Sequence, residues 1–254
     1  MQFDYLIVGS GLFGSVFGHE MTKLGKKCLI IDKREHIGGN VFTENVEGIN
    51  VHKYGPHIFH TNDEKIWNYV NRFAEFNTYK YKPLVSYNDK LFSFPINFLT
   101  FHQLWGVKSP NEIKKRLDQE RLSIENPKNF EEYVLSQVGE EVYNTFFKGY
   151  TKKQWGLDPK ELPSSIIKRI PIRYNYDDNY YFDKYQGIPI GGYTKIIEKM
   201  LKGIPVELNI DFFDLDSEYL SNFEKILYTG KIDEYYNYKF CLLYTSDAAD
   251  DDHC

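Results

Sequence analysis

The chain has little sulfur, no excess of positive charge and no long apolar run, and each shortage removes a class of function. Its 254 residues contain three cysteines. Cys28 lies within an apolar stretch that reads as a buried strand, while Cys241 and Cys254 fall near the C-terminal end, so neither a disulfide framework nor a metal set is expected. Lys and Arg total 31 against 36 Asp and Glu, a net charge of -5, which argues against a general binder of nucleic acid or anionic membrane. No segment approaches the ~20 consecutive apolar residues of a membrane span. Met1 leads directly toward a strand, without a basic n-region or an apolar h-region, so a cytoplasmic location is expected. Hydrophobic residues make up 42%, enough for the core of one large domain or two modest ones. The abundant class is aromatic, at 17% with 21 Tyr, which suits sugar and base stacking as well as core packing and alone decides nothing.

The stretch from Tyr5 to Asn40 organises the rest. Tyr5-Leu6-Ile7-Val8 is an apolar run fit for a buried parallel strand, followed by Gly9-Ser10-Gly11-Leu12-Phe13-Gly14 with the glycine spacing of a dinucleotide fingerprint. Apolar residues at helical spacing then run from Ser15 to Leu24 and stop at Gly25, and Lys27 to Ile31 reads as a second buried strand closed by Asp32. Gly9 permits the tight turn, Gly11 lets the backbone approach a pyrophosphate, and Gly14 lets the helix pack closely on the strands. The diphosphate is expected at the helix N-terminus, where unpaired amides and the dipole favour an anion. Asp32 is placed to accept from both hydroxyls of an adenosine ribose. An ordinary strand-to-helix turn would explain the glycines alone, but not strand, glycines, helix, strand and acid in one βαβ order. The run Arg34 to Asn40, with Gly38-Gly39, resembles the extended fingerprint of flavoproteins that carry two dinucleotide-binding parts, which points to FAD rather than NAD.

Farther along, Gly55-Pro56 sets a turn before His57 and His60; with His52 these could suggest a metal, but no Cys, Asp or Glu completes a ligand set, and a structural or flavin-contacting histidine is expected. Asn62 to Phe76 reads as an amphipathic helix with Ile66, Trp67, Val70 and Phe73 inward, and Tyr79 to Phe94 as a hairpin turning at Asn88-Asp89. Helix starts follow at Ser109-Pro110-Asn111-Glu112, at Asn129 with Glu132, and at Asp158-Pro159-Lys160-Glu161; helices are expected to stop at Gly139 and Gly149. The expected fold is α/β: an FAD-binding, Rossmann-like, doubly wound parallel sheet with a helical insert and an antiparallel substrate sheet. Its expected division is 1–78 nucleotide-binding part, 79–96 hairpin of the substrate sheet, 97–163 helical insert, 164–190 mobile loop and substrate-sheet segment, 191–240 return to the nucleotide-binding part, and 241–254 a non-native tail. Gly191-Gly192 precede a helix over 194–202, and Val206 to Phe212 and Lys225 to Tyr228 read as returning strands, the latter entering a Thr229-Gly230 turn.

Several ordered segments together resemble UDP-galactopyranose mutase of the bacterial type. They are the glycine fingerprint, His36-Ile37-Gly38-Gly39-Asn40, Tyr54 to Thr61, Lys148 to Gly156, Glu161-Leu162-Pro163, Ile167 to Arg173 and Tyr185 to Pro189. The resemblance runs from Phe3 to about Phe240. It implies an FAD enzyme, active when reduced, that interconverts UDP-galactopyranose and UDP-galactofuranose without net redox change, flavin N5 attacking the anomeric carbon and displacing UDP. It also implies a homodimer and a role in galactofuranose supply for cell-surface polysaccharide. Phe13, Asp32, Lys33, Asn40, His57, Ile58, Asp211 and Phe212 match cofactor contacts, beside Gly9, Gly11, Gly14, Gly38 and Gly39. Thr151, Trp155 and Tyr180 match substrate contacts, Trp155 as the base stacker, with Tyr150 and Tyr181 as pocket neighbours. Arg169 matches a mobile-loop arginine that closes on the diphosphate, and with His57 it completes the catalytic candidates. Core packing for Trp155 and a solvated charge for Arg169 are the bland alternatives. Tyr81 stands where relatives place a substrate-contacting asparagine.

From Cys241 to Cys254 the chain departs from that family and resembles translated adapter DNA, so a C-terminally truncated and inactive product is expected. Two other readings remain open: an amine-oxidase-like flavoprotein oxidoreductase, which shares the clamp, and a fragment that retains only part of an FAD site.

Overall fold

The computed structural model describes residues 3–167 and 172–239. Two compact units divide them, one formed by the chain up to residue 79 and again from 183, the other by residues 80–182.

The first unit opens with β1 (Phe3–Val8), α1 (Leu12–Lys23) and β2 (Cys28–Asp32), two parallel strands joined through a helix, with Tyr5 opposite Cys28 and Val8 opposite Ile31. The helix begins three residues before the expected Ser15, because Gly11 is its N-cap and Gly14 falls within its first turn; Leu24 caps its end before Gly25 at φ 79°. A hairpin of β3 (Thr43–Val46) and β4 (Ile49–His52) follows, turning at Glu47-Gly48 with φ of 51° and 85°. Then come β5 (Phe59–Thr61) and α2 (Glu64–Val70). This helix is half the expected length. Asp63 caps its start by accepting from the Lys65 and Ile66 amides, and beyond Val70 the chain folds into turns that still bury Phe73. Ile66, expected inward, is exposed, and Trp67 stacks on Tyr185 at 5.4 Å.

In the second unit, β6 (Leu84–Tyr87) and β7 (Lys90–Ser93) pair across an Asn88-Asp89 turn with φ of 48° and 58°, conformations that these short polar residues tolerate. Helices α3 (Phe98–Trp105), α4 (Pro110–Glu120) and α5 (Phe130–Val142) then enclose a core that includes Phe92, Phe101, Ile113, Leu117, Val134 and Val138. Ser109 caps α4 and Asn129 caps α5, each accepting from the amide of the Glu three residues on. Gly139 kinks α5 at φ 78°, where a Cβ would press on the Glu120 backbone. Gly149 does not end a helix. A π-helical turn over Tyr143–Lys148 carries the chain directly into α6 (Gly149–Trp155), and the stop is Gly156 at φ 66°. The third expected helix start is a tight turn, since Asp158 and Glu161 close on each other's backbone amides and only a short 3-10 turn over Ser164–Ile166 follows.

Back in the first unit, β8 (Tyr185–Gly187) pairs antiparallel with β5, so this part of the expected 164–190 segment joins the nucleotide-binding unit rather than the hairpin. That pairing spans more than a hundred residues, and local pattern cannot foresee it. Next come α7 (Thr194–Met200), β9 (Val206–Leu208), α8 (Ser217–Leu220), β10 (Phe223–Tyr228) and α9 (Ile232–Tyr235). The four-stranded parallel sheet has the order β10-β1-β2-β9. Alternate residues cover its two faces: Ile7, Cys28 and Ile30 pack with Ile197 and Leu201, whereas Leu6, Leu29 and Ile31 pack with the segment around Phe212 and Leu220. Among the described residues no helix is long and apolar enough to cross a membrane.

Asn97 ties hairpin to helix in the second unit. Fully buried, it caps α3 by accepting from the Thr100 amide on its side-chain oxygen, its backbone amide donates to Thr100 Oγ1 at 2.9 Å, and its side-chain amide donates to Ser93 Oγ at 2.8 Å. Asn97→Ala removes a cap and strands a buried hydroxyl, so stability should fall by about 2 kcal/mol. A urea midpoint shift at constant m-value checks this; an unmoved midpoint would contradict it.

Candidate functional site

The two turns of the nucleotide clamp are built against each other. Gly9, at φ 105°, lies so close to Thr229 that a Cβ would collide with the threonine hydroxyl, and a Cβ on Gly14 would collide with the Gly9 carbonyl. A Cβ on Gly39 would sit 2.9 Å from the Gly11 Cα, so the second glycine pair packs backbone to backbone on the first. Gly38 N–H donates to the Ser10 carbonyl at 3.0 Å, which joins the two turns. The Thr229 amide and hydroxyl both donate to the Val8 carbonyl, at 3.0 and 2.7 Å, and fix the end of β10 beside the end of β1. Strand order reverses here: β2 and β10 flank β1, and the loops that leave them part at the carboxyl ends of the strands, the usual crevice for a nucleotide. Gly11 caps α1 without a side-chain acceptor and no acid stands in the first turn, so no side chain in that turn competes for the helix's leading amides, the kind of N-terminus that favours an anion. Phe13 is 67% exposed beside them.

Asp32 is buried at the end of β2, and its surroundings alter the expected role. Its Oδ2 accepts from Ser10 N–H at 2.8 Å and from Ser10 Oγ at 2.6 Å, and its Oδ1 accepts from Arg34 N–H at 3.0 Å. A carboxylate accepts about four hydrogen bonds. Three are committed within the chain, which leaves room for one ribose hydroxyl rather than two. The Asn209-Ile210 amides donate to the Arg34 and Asp32 carbonyls, so Asp211 and Phe212 follow directly beside the acid. Lys33 pairs with Glu234 at 3.5 Å. Arg34 donates to Asn40 Oδ1 at 2.8 Å and stacks 4.2 Å from the Tyr54 ring, whose hydroxyl meets His36 Nε2 at 2.7 Å.

His57 follows the Gly55-Pro56 turn. Its amide donates to His52 Nδ1 at 3.0 Å, its carbonyl accepts from the Tyr193 hydroxyl at 3.2 Å, and its buried Nε2 has no hydrogen-bond partner among the described residues. Ile58 beside it is half-buried. His60 instead meets Asp183 at 2.5 Å, and Asp183 also receives the Asn62 side-chain amide, so His60 fastens β5 to the start of β8. Among the described residues no group of three His, Cys, Asp or Glu could hold a metal.

In the second unit, Thr151 and Trp155 stand one turn apart on α6, which puts them on one face; Thr151 is buried, Trp155 half-buried against the core, and Tyr150 is 54% exposed on a neighbouring face. Tyr180 and Tyr181 meet edge to face at 5.0 Å, and Tyr81 joins them at 5.3 and 6.4 Å. Arg169 lies outside the described residues. Sequence reasoning overlooked Ser10 and weighed His52 only within a possible metal set, not as a partner of His57. The turn formula treats Ser10 as a spacer, although a hydroxyl between two glycines opposite a strand-ending acid is a signal; His52 carries no local cue.

A parallel sheet with a glycine clamp at its switch point and a helical unit inserted in the chain defines a dinucleotide-binding α/β protein. Residues 7–73 match the family model described as an NAD(P)-binding Rossmann-like domain, and residues 145–247 match that of UDP-galactopyranose mutase. The chain is 43% identical over 250 residues to a dTDP-fucopyranose mutase of Escherichia coli, covering 94% of this chain and 66% of that one. It is 42% identical over 243 residues to a protein of Klebsiella pneumoniae described as a probable UDP-galactopyranose mutase, covering 93% and 62%. A crystal structure of reduced UDP-galactopyranose mutase superposes with a TM-score of 0.61 at 21% identity, over 82% of this chain and 48% of that one. The chain is homologous to the UDP-galactopyranose mutase family and spans just under two thirds of the length of these curated relatives.

Two outcomes follow from the geometry. Gly14→Ala forces α1 away from the Gly9 carbonyl, which should cost about 1–3 kcal/mol of stability and weaken dinucleotide binding, read by denaturation and by titration; a variant equal to the parent in both would contradict the packing. Burial, and secondarily the His57 ring, hold the His52 pKa below its ordinary 6.5. Its neutral form, which accepts from His57, therefore contributes in full above pH 6.5, and stability should fall as pH drops below that value. His52→Gln should flatten that part of the stability–pH curve, and a superimposable curve would count against it.

Proposed function

We propose that the chain serves a flavin-dependent, ring-size isomerisation of a nucleotide-linked sugar, UDP-galactopyranose to UDP-galactofuranose, with FAD as cofactor. The observation that carries this reading is the double glycine turn, Gly9 to Gly14 against Gly38-Gly39, within a chain homologous to mutases across both of its units. Two features support a flavin dinucleotide here: the two glycine turns pack backbone to backbone, where a Cβ on Gly39 would press on Gly11, and the buried His57 Nε2 has no hydrogen-bond partner among the described residues. When bound and reduced, FAD supplies a nucleophilic nitrogen for the anomeric carbon and ends with its electrons unspent.

The chain's own residues bind and orient. Asp32 takes one ribose hydroxyl, the α1 amides take the diphosphate, and Phe13, Lys33, Asn40, Ile58, Asp211 and Phe212 border the cofactor. Trp155 stacks on the uracil, with Thr151, Tyr150, Tyr180 and Tyr181 as further substrate contacts, and Arg169 pairs with the substrate diphosphate through its planar, bidentate guanidinium. In this reading the protein is a cytoplasmic homodimer. A second reading has its own support, since the Escherichia coli relative at 43% identity is named for dTDP-fucopyranose: the same residues would then hold a thymidine nucleotide of a 6-deoxy sugar.

The test joins this chain to the part of the Klebsiella pneumoniae relative that it does not match and incubates the product with dithionite and each nucleotide sugar. Furanose formed without an electron acceptor is expected; sugar or amine oxidation instead would support the oxidase reading. Trp155→Ala should weaken UDP binding by about 1–3 kcal/mol, the usual size of one base–aromatic stack, and leave FAD content unchanged. An unaltered UDP dissociation constant would remove Trp155 from the uridine site.

A further inference from the structure

Arg173 is 8% exposed, and its position in the second unit is unlike that of the surface arginines. One guanidinium nitrogen, Nη1, donates to the Asp177 carbonyl at 3.1 Å and to the Asn179 carbonyl at 2.5 Å; the other, Nη2, donates to the Tyr180 carbonyl at 3.5 Å. The Asp177 carboxylate stands 3.5 Å from Nη1, and the guanidinium covers the Phe182 ring at 4.2 Å. One side chain thus gathers the loop that carries Tyr180 and Tyr181. The loop is moored at both ends, because Arg173 N–H donates to the buried Ile96 carbonyl at 3.0 Å and Tyr180 N–H to the Tyr81 carbonyl at 2.8 Å.

Stability is a poor explanation for this arrangement. A buried guanidinium costs several kcal/mol to desolvate, and a well-packed apolar side chain of similar volume often serves stability as well or better. Here the balance is worse still, since among the described residues neither the buried Nε nor the Asn179 side-chain oxygen has a partner. An arginine specifies geometry better than a hydrophobe can: its donors lie in one plane and reach several carbonyls at once, so only one loop conformation satisfies them.

We infer that Arg173 is a positioning residue for substrate recognition, acting through Tyr180 by fixing the backbone from Asp177 to Phe182. The inference rests on the proposed substrate role of Tyr180 for its functional consequence, though not for the structural one. A lysine could keep the charge but satisfies fewer carbonyls, and a methionine satisfies none.

The experiment uses the full chain and three variants, Arg173→Met, Arg173→Lys and Tyr180→Ala, with the Arg173→Met/Tyr180→Ala double variant. Hydrogen exchange is followed in the 176–182 peptide, with the α5 peptide as an internal reference, and affinity is read by titration with UDP-galactose. In Arg173→Met the loop amides should exchange about tenfold faster or more while α5 stays protected, and Arg173→Lys should fall between. UDP-galactose affinity should drop about tenfold in either single variant and no further in the double. Unchanged loop exchange with an intact α5 overturns the inference, as do additive losses in the double variant, which a merely structural role would give. If α5 loses protection in Arg173→Met, the lysine variant decides by the same two readouts. If Tyr180→Ala alone leaves affinity unchanged, the substrate role of Tyr180 fails; loop exchange then still reports whether Arg173 holds the loop.

Discussion

The bond between Ser10 and Asp32 is the constraint from which the nucleotide clamp follows. Asp32 ends β2 and Ser10 lies in the turn after β1, so two hydrogen bonds to one carboxylate oxygen lock the carboxyl ends of the two central strands together. A buried carboxylate loses several kcal/mol of hydration, and hydrogen bonds to a charged group return about 1.5–3 kcal/mol each. With the Arg34 amide as a third donor, the acid is held with little net cost and in one orientation. The Ser10 carbonyl meanwhile accepts from Gly38, so the same residue seats the second glycine turn on the first. Remove that residue's contacts and both Asp32 and the first glycine turn lose their reference frame.

Geometry elsewhere in the first unit serves the same end. The parallel strands bury apolar residues on both faces, which is why β2 reads as an unbroken hydrophobic run, and β10 brings Thr229 against the first glycine. The second unit has its own core and its own logic. A π-helical turn lets α5 run into α6 without a break, which sets Thr151 and Trp155 on one stripe; an extra residue per turn is a device often found near functional sites.

What was legible in the sequence was what local chemistry dictates. The βαβ order, the Asn88-Asp89 turn and the caps at Ser109 and Asn129 depend on neighbours a few residues away, and each is found at its expected place. The misses share a cause. Asp158 and Glu161 have capping chemistry, but it closes a turn; Gly149 has a stop residue's identity, but helical φ; and α2 ends early because Phe73 reaches the core from a turn. In each case tertiary packing decided between local alternatives of similar energy. The site was legible to the extent that residue identity carries it, as with the glycines and Asp32. Its supports, Ser10 on Asp32, His52 on His57 and Asp183 on His60, depend on contacts between residues 5 to 123 positions apart and leave little periodic trace.

The central claim is that the paired glycine turns hold FAD, and the family model matched over residues 7–73 names NAD(P) instead. Parallel titrations of the chain with FAD and with NAD decide between them. The account predicts saturable binding of FAD at one per chain, with quenched flavin fluorescence, and much weaker binding of NAD. Tighter binding of NAD than of FAD, or no binding of FAD by the folded chain, would contradict it.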